Sequence, residues 1–396
     1  MKRDLYRVLT TQFLTAFADN AVLFAVITLV VKDAGLSAWY VPALQASFLV
    51  AYVLLAPWVG RYADRRPKPR VLFSANLIKA AGVGMLLIGI EPIAAYAVIG
   101  LGAAIYSPAK YGILPELVDE DVLVKANGWV EGSTIMAILG GTVAGAMLAN
   151  YSIMLAFGVV VGLYLLSAAV AYTITHRFIA KVEDDAEQRL SAIAQFAQQM
   201  RDLLATPRAR FSTLGVSLFW ASATVLRVLL VAWAPAVLLM TSTTDIAQLT
   251  MFVALGIAVG AVLVPRLIPI AYLRRARMAA YLMALLIVLM SLVGSVEWAR
   301  VMLFLIGVSG GLFVVPINAA LQEIGHKTIG GGGAVAIQNF FEHLAMLLAS
   351  GIYAFVAGAG VNPVVTMVWL GGLVLIATAL VSWQLPRDSG ALLDEE

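Results

Sequence analysis

The sequence predicts an all-α integral membrane protein, with twelve transmembrane helices arranged as two pseudo-symmetric six-helix bundles. Three observations lead there. Of 396 residues, 62% are hydrophobic and only 12% charged, a balance far from that of a soluble globular domain. Mostly apolar stretches of about 20 residues, the length that crosses the hydrocarbon core of a bilayer, occur twelve times. A long polar run, His176 to Arg210, falls between the sixth and seventh of them and divides the chain six and six.

The spans begin near Val8, Trp39, Val71, Ile93, Asn127, Met154, Phe211, Ala247, Met278, Ala299, Ala334 and Val361. The first follows "MKRDLYR" and contains "AFA" at Ala16 to Ala18, which resembles a signal-peptide cleavage site. Thr10, Thr11 and Gln12 interrupt any signal core and the apolar run continues past the supposed cut, so the segment is expected to be an uncleaved first helix. Of the 26 Lys and Arg residues, 22 fall on the side of the membrane that holds both termini and only two, Lys32 and Arg300, on the other. The excess of basic loops marks the cytoplasmic face, so both termini are expected in the cytoplasm. The net charge of +3 is then a topology signal and does not point to nucleic acid.

The expected organisation is an N-terminal bundle over 1–176, a cytoplasmic linker over 177–210, a C-terminal bundle over 211–385 and a cytoplasmic tail over 386–396. In the linker Leu190, Ile193, Phe196, Met200 and Leu203 recur at helical spacing, so part of it is expected to form an amphipathic helix at the interface. The two halves resemble one another. "GWVEGSTIMAILGG" in the fifth span aligns with "NFFEHLAMLLASG" in the eleventh, which sets Glu131 against Glu342, and "PAKYGILPE" before the first matches "PINAALQE" before the second. Parallel six-helix repeats of this kind build many secondary transporters, with the substrate site between them near mid-membrane.

Ionisable residues within spans are costly and mark functional pathways by default, although a pair that only locks two helices together also keeps them buried. Thr11, Thr15 and Asp19 sit four apart in the first span, with Gln12 and Asn20 beside them, and so form one polar stripe. Thr224 and Arg227 form a similar stripe in the seventh. When the halves are superposed, Arg227 falls three residues from the position equivalent to Asp19, so these two are expected to pair. Asn127, Glu131 and Thr134 line a face of the fifth span, and Gln338, Asn339, Glu342 and His343 line one of the eleventh. Lys79 in the third span and Lys110 at the end of the fourth add cations.

The loop "GRYADRRPKPR" after the second span resembles the loop motif of the major facilitator superfamily. The resemblance implies that Gly60, Asp64, Arg65 and Arg70 contribute to a charge-relay latch on the cytoplasmic side, with Pro67 standing where the family usually has Gly. "YSPAKYGILPELVDEDVLVKANGWVEGSTIMAILGG", together with "QFLTAFADNAVLF", "LIKAAG", "SLFWASATVLRVLL" and "GLFVVPINAALQEIGHKTIGGGGAVAIQNFFEHLAMLL", resembles the bacterial lysophospholipid transporter family within that superfamily. The resemblance covers nearly the whole chain. It implies a flippase of the bacterial inner membrane that moves lysophosphatidylethanolamine and lysophosphatidylglycerol from the outer to the inner leaflet, by alternating access with the headgroup in a polar interbundle cavity; a monomer is expected because the two halves already enclose one site. It also implies a functional link to a separate acyltransferase/acyl carrier protein synthetase that reacylates the product. Asp19, Lys110, Glu131 and Arg227 are the polar groups that match its motifs.

The residues suit such a substrate. A guanidinium binds phosphate through two parallel charge-assisted hydrogen bonds, the role expected of Arg227. Asp19 is expected to pair with Arg227 in one conformation and release it to the phosphate in another. The competing reading is a proton-coupled transporter of small amphiphiles or drugs, in which Asp19, Glu131 or Glu342 carries the proton. None of the three histidines has an Asp four or five residues later, and "GHKT" at Gly325 lacks phosphate-loop spacing, so neither an acyltransferase nor direct use of ATP is expected. No catalytic residue, cofactor or metal is expected, and the absence of cysteine excludes disulfides.

Overall fold

The structure, a computed structural model, describes residues 2–32, 40–175, 191–240, 243–268 and 270–383. Among these, twelve helices are long and apolar enough to cross a membrane. They are α1 (Lys2–Lys32), α2 (Tyr40–Asp64), α3 (Lys68–Leu87), α4 (Pro92–Gly112), α5 (Glu120–Tyr151) and α6 (Ile153–Tyr172), then α7 (Pro207–Leu238), α8 (Thr243–Leu267), α9 (Ala276–Leu289), α10 (Val296–Lys327), α11 (Gly331–Gly358) and α12 (Pro363–Ser382). All twelve expected spans are present. The expected tail and the linker from 176 to 190, with Leu190, lie outside the described residues.

Helix ends follow local chemistry. After α3, Gly89 takes a positive φ of 80° that a side chain would strain. The chain re-enters a helix at Pro92, where the Glu91 side chain accepts from the Ala94 amide at 2.9 Å. Ser152 caps α6 through the Leu155 amide, and Asn362 caps α12 through Val364, just ahead of Pro363.

The chain forms two compact units. One comprises Met1–Ala126, Ser133–Asp202 and Gln322–Phe340, and the other Asn127–Gly132, Leu203–Leu321 and Phe341–Glu396, so α5 and α11 are each divided between them. In the first unit α1 and α3 pack against α6, and α2 and α3 against α4. Its core gathers Ala18, Val22, Ile99, Phe157, Val160 and Tyr164. Glycines permit the closest approaches. A Cβ at Gly100 of α4 would lie 2.9 Å from the Phe48 Cα on α2, and one at Gly145 of α5 would overlap the Ala21 carbonyl on α1. Gly141, one turn earlier, meets the Phe17 carbonyl in the same way, which accounts for the spacing of "GGTVAGAMLA". The linker helix Ala192–Ala205 turns Phe196 onto Phe340, edge to face at 5.8 Å between ring centroids, while Ile193 is exposed.

The second unit repeats this scheme six helices later. Both α7 and α9 pack against α12, as α1 and α3 do against α6. Gly256 and Gly260 of α8 abut Gly307 and Gly311 of α10, with separations of 2.9 and 3.1 Å between an added Cβ and the facing Cα. This is the counterpart of the α2–α4 approach at Gly100. The short stretches exchanged between units match as well. In the second unit Gly128 of α5 meets the Ala261 carbonyl of α8, and in the first Gly333 of α11 meets Gly60 of α2. Exposed apolar side chains such as Leu54, Trp58, Met147, Val262 and Ile376 suit a surface solvated by lipid.

The α1–α5 approach makes a prediction. Gly145→Ala forces a methyl into the α1 backbone and should cost about 1–3 kcal/mol through overpacking, seen as a lower melting temperature in detergent. Gly162→Ala on α6, where an added Cβ meets no heavy atom within 4 Å, should leave it unchanged.

Candidate functional site

The polar stripe of α1 meets stripes on two other helices of the first unit. Asn76 and Lys79 sit three residues apart on α3, and Tyr164 and Ser167 three apart on α6, so each pair shares a face. Thr15 Oγ1 lies 3.0 Å from Asn76 Oδ1 and 2.7 Å from Ser167 Oγ, and the Ser167 hydroxyl donates to the Thr11 carbonyl at 2.9 Å. One turn further along α1, Asp19 accepts from Lys79 Nζ at both carboxylate oxygens, 2.9 and 2.8 Å, and from the Tyr164 hydroxyl at 2.7 Å. The Lys79 ammonium also lies 4.9 Å from the Tyr106 ring centroid, within cation–π range. Gln12 Nε2 donates to Thr134 Oγ1 at 2.8 Å.

Within its own unit Asp19 is paired with Lys79, a partner the sequence reading did not assign to it. The Lys79 side chain is 1% exposed, so its ammonium has little water to solvate it and depends on a counter-charge. Asp19 supplies that charge from the adjoining helix. Arg227, in the second unit, is exposed and makes no ion pair among the described residues. Asn20, beside Asp19, turns its amide back to the Ala16 carbonyl at 2.8 Å.

The other expected residues fall into separate groups. Lys110 ends α4 with its ammonium 3.9 Å from the Tyr111 ring centroid. Ser107, one turn earlier, accepts from Asn339 Nδ2 at 2.8 Å, which anchors the first-unit part of α11. In the second unit the buried Glu131 accepts a long hydrogen bond, 3.5 Å, from Asn318 of α10. Gln338 and His343 are buried, and Glu342 is half-buried.

At the end of α2, Asp64 accepts from the Gly332 and Gly333 amides at 2.8 and 2.7 Å, at the N-terminus of α11. A carboxylate there satisfies two otherwise orphaned donors and lies at the positive end of the helix dipole. The glycine run makes room for it: a Cβ at Gly332 would fall 2.8 Å from Asp64 Oδ1. Gly330 turns the chain with φ at 95°. Lys68, the first residue of α3, lies 3.8 Å from Asp64 Oδ1 and donates to Glu116. Of the expected latch residues, Gly60 and Asp64 thus sit against α11. Arg65 and Arg70 are exposed, and Lys68 lies beside the carboxylate.

The Major Facilitator Superfamily pattern matches residues 8–350. The chain is 42% identical over 384 residues to the lysophospholipid transporter LplT of Photorhabdus laumondii, covering 97% of this chain and 96% of that one. It belongs to the lysophospholipid transporter family of the major facilitator superfamily. To LplT of Escherichia coli O1:K1 the identity is also 42%, over 95% of each chain. This family fold is shared with far more distant solved structures. The Escherichia coli fucose:proton symporter FucP gives a TM-score of 0.74 at 14% identity, covering 97% of this chain and 98% of that one. The human organic anion transporter MFSD10 gives 0.73, also at 14%, covering 95% and 99%. In this chain Tyr164, Asn76 and Ser167 join the expected residues around Asp19. Their signal was in the sequence, as polar groups at helical spacing in otherwise apolar spans.

Removing the Asp64 cap should expose its role. Asp64→Ala should weaken the first turn of α11 by about 1 kcal/mol, the usual value of an N-cap, read as faster amide hydrogen exchange at Gly332 and Gly333. Arg70→Gln, at an exposed position, should leave that exchange unchanged.

Proposed function

We propose that the chain transports lysophospholipids, taking lysophosphatidylethanolamine and lysophosphatidylglycerol from the outer to the inner leaflet of the bacterial inner membrane. The observation that carries this reading is the 42% identity to a lysophospholipid transporter over 97% of the chain. Both termini are taken to be cytoplasmic from the distribution of Lys and Arg, and the working unit to be a monomer. Transport proceeds by alternating access, with the Asp64 cap on α11 as the cytoplasmic latch. A downhill flip, trapped when a separate acyltransferase/acyl carrier protein synthetase reacylates the product, needs no other energy source.

The residues support a division of labour. Arg227 is exposed and carries a fixed charge, so it suits the phosphate that both headgroups share. Glu131, Lys110, Gln338, Asn339, Glu342 and His343 are further polar candidates, carried by α4, α5 and α11. Lys79 neutralises Asp19, which removes the need to spend Arg227 on that carboxylate.

Uptake of labelled lysophospholipid by proteoliposomes tests this reading, with and without an imposed proton gradient. The wild type should carry both lipids at rates indifferent to the gradient. Arg227→Ala should lose about ten- to a hundredfold in kcat/KM, as expected when a charge-assisted phosphate contact of about 1.5–3 kcal/mol is removed, and Arg227→Lys should recover part of it. Strict dependence on the gradient would favour proton coupling, and wild-type rates in Arg227→Ala would remove Arg227 from the site.

A further inference from the structure

Arg300, near the outer end of α10, sits where charge topology disfavours a cation. Basic residues crowd the cytoplasmic side of this chain, and of 26 only Lys32 and Arg300 fall on the opposite side. A guanidinium retained there needs a local reason. No counter-charge supplies one: among the described residues Arg300 makes no ion pair and no hydrogen bond, and the exposed Glu297, one turn earlier, makes none with it.

The surroundings of Arg300 favour an anion. The residue is half-buried, and its Nε is shut off from solvent without an acceptor. A buried donor left in that state is costly until an acceptor arrives. The guanidinium carbon lies 5.7 Å from the ring centroid of Phe252 on α8, in the same unit, so one face of the fork is turned to a ring. Its N–H edges remain for a ligand. The depth also fits. Trp298, 66% exposed, is of the type that settles at headgroup level, and Arg300 lies two residues further in, about 3 Å along the axis. Counted from the outer ends of their helices, Arg300 is four residues in and Arg227 eleven, so Arg300 is the shallower of the two by roughly 10 Å.

We infer that Arg300, seated on Phe252, captures the phosphate of a lysophospholipid from the outer leaflet before the lipid moves to mid-membrane. The inference rests on the lysophospholipid reading and the cytoplasmic termini given above. A guanidinium fork donates to two phosphate oxygens at once, and phosphate is the group that ethanolamine and glycerol lysolipids share. The acyl chain stays in the bilayer during this contact, so capture asks nothing of the tail. Because the contact is made on binding and is not specific to the step that crosses the membrane, it lowers KM without raising the maximal rate.

Sidedness provides the test. Uptake of labelled lysophospholipid is measured in spheroplasts, which present the outer face, and in inverted membrane vesicles, which present the cytoplasmic face. Arg300→Gln should raise KM about tenfold in spheroplasts, the worth of one hydrogen bond to a charged group, with the maximal rate held, and should leave KM unchanged in inverted vesicles. Arg300→Lys should recover part of the loss. In proteoliposomes of digalactosyldiacylglycerol, a bilayer lipid without phosphate, the Arg300→Gln shift should match that in phosphatidylcholine. An unchanged KM in spheroplasts, or equal impairment on both faces, would overturn the proposal. So would a shift that disappears in the galactolipid, because Arg300 would then hold resident bilayer phospholipid and not the substrate. Any of these results, with wild-type transport intact, leaves the lysophospholipid reading standing, whereas a wild type that carries no lysophospholipid would remove both.

Discussion

The first unit is organised around one buried ion pair. A charged group at mid-span costs roughly 2.5–3.5 kcal/mol on insertion scales, and Lys79 and Asp19 each bring one into the apolar interior. Their attraction offsets that cost only if the two are held in contact and their remaining hydrogen-bonding capacity is met. The requirement fixes the rotation of three helices at once. α1 must turn Asp19 inward, α3 must turn Lys79 toward it, and α6 must bring the Tyr164 hydroxyl to within 2.7 Å. The same rotations bring Thr15, Asn76 and Ser167 together one to two turns away, where they hydrogen-bond one another and Ser167 reaches the Thr11 carbonyl.

Close backbone contact maintains that register. Gly141 and Gly145 let α5 lie against the carbonyls of Phe17 and Ala21, the residues on either side of Asp19, and Gly102 lets α4 press on the stem of Lys79. In hydrocarbon there is little hydrophobic force between helices, so dispersion across such contacts and interhelical hydrogen bonds carry the association. The pair and the glycines depend on each other. Without the glycines α5 could not reach α1 at this depth, and without the pair α1 would lose its one buried charge contact while keeping the weaker polar contacts of Gln12 and Thr15.

Much of this was legible in the sequence. The twelve spans follow from hydropathy, and the stripes on α1 and α5 from spacing. Gly60 and Asp64 were recognisable from the loop motif, and both contact α11. What the sequence left unassigned was Lys79 as a partner of Asp19. The superposition of halves compares helices that occupy equivalent positions, α1 with α7, whereas a side chain pairs with whatever packs beside it. For α1 that neighbour is α6, with α3 behind it. Lys79 was visible as a cation in a span, but periodicity places a residue on a face without saying which helix that face meets. Lys68 at the latch was hidden in the same way. Arg65 and Arg70 matched the motif, yet Pro67 starts a new helix and puts Lys68 in its first turn, next to Asp64 and Glu116, while Arg70 points outward.

The division of α5 and α11 between the units has a consequence for biogenesis. The first unit includes Gln322–Phe340, the end of α10 and the start of α11, which leaves the ribosome only after the first nine spans, and the second includes Asn127–Gly132 from early in the chain. Neither unit can complete its packing as an autonomous domain in order of synthesis. Until α11 is inserted, Asp64 has no Gly332 and Gly333 amides to cap and Ser107 has no Asn339. The final assembly of the first unit therefore waits for nearly the whole polypeptide, and a nascent chain truncated before residue 340 would display polar groups within the membrane that invite chaperone or protease attention.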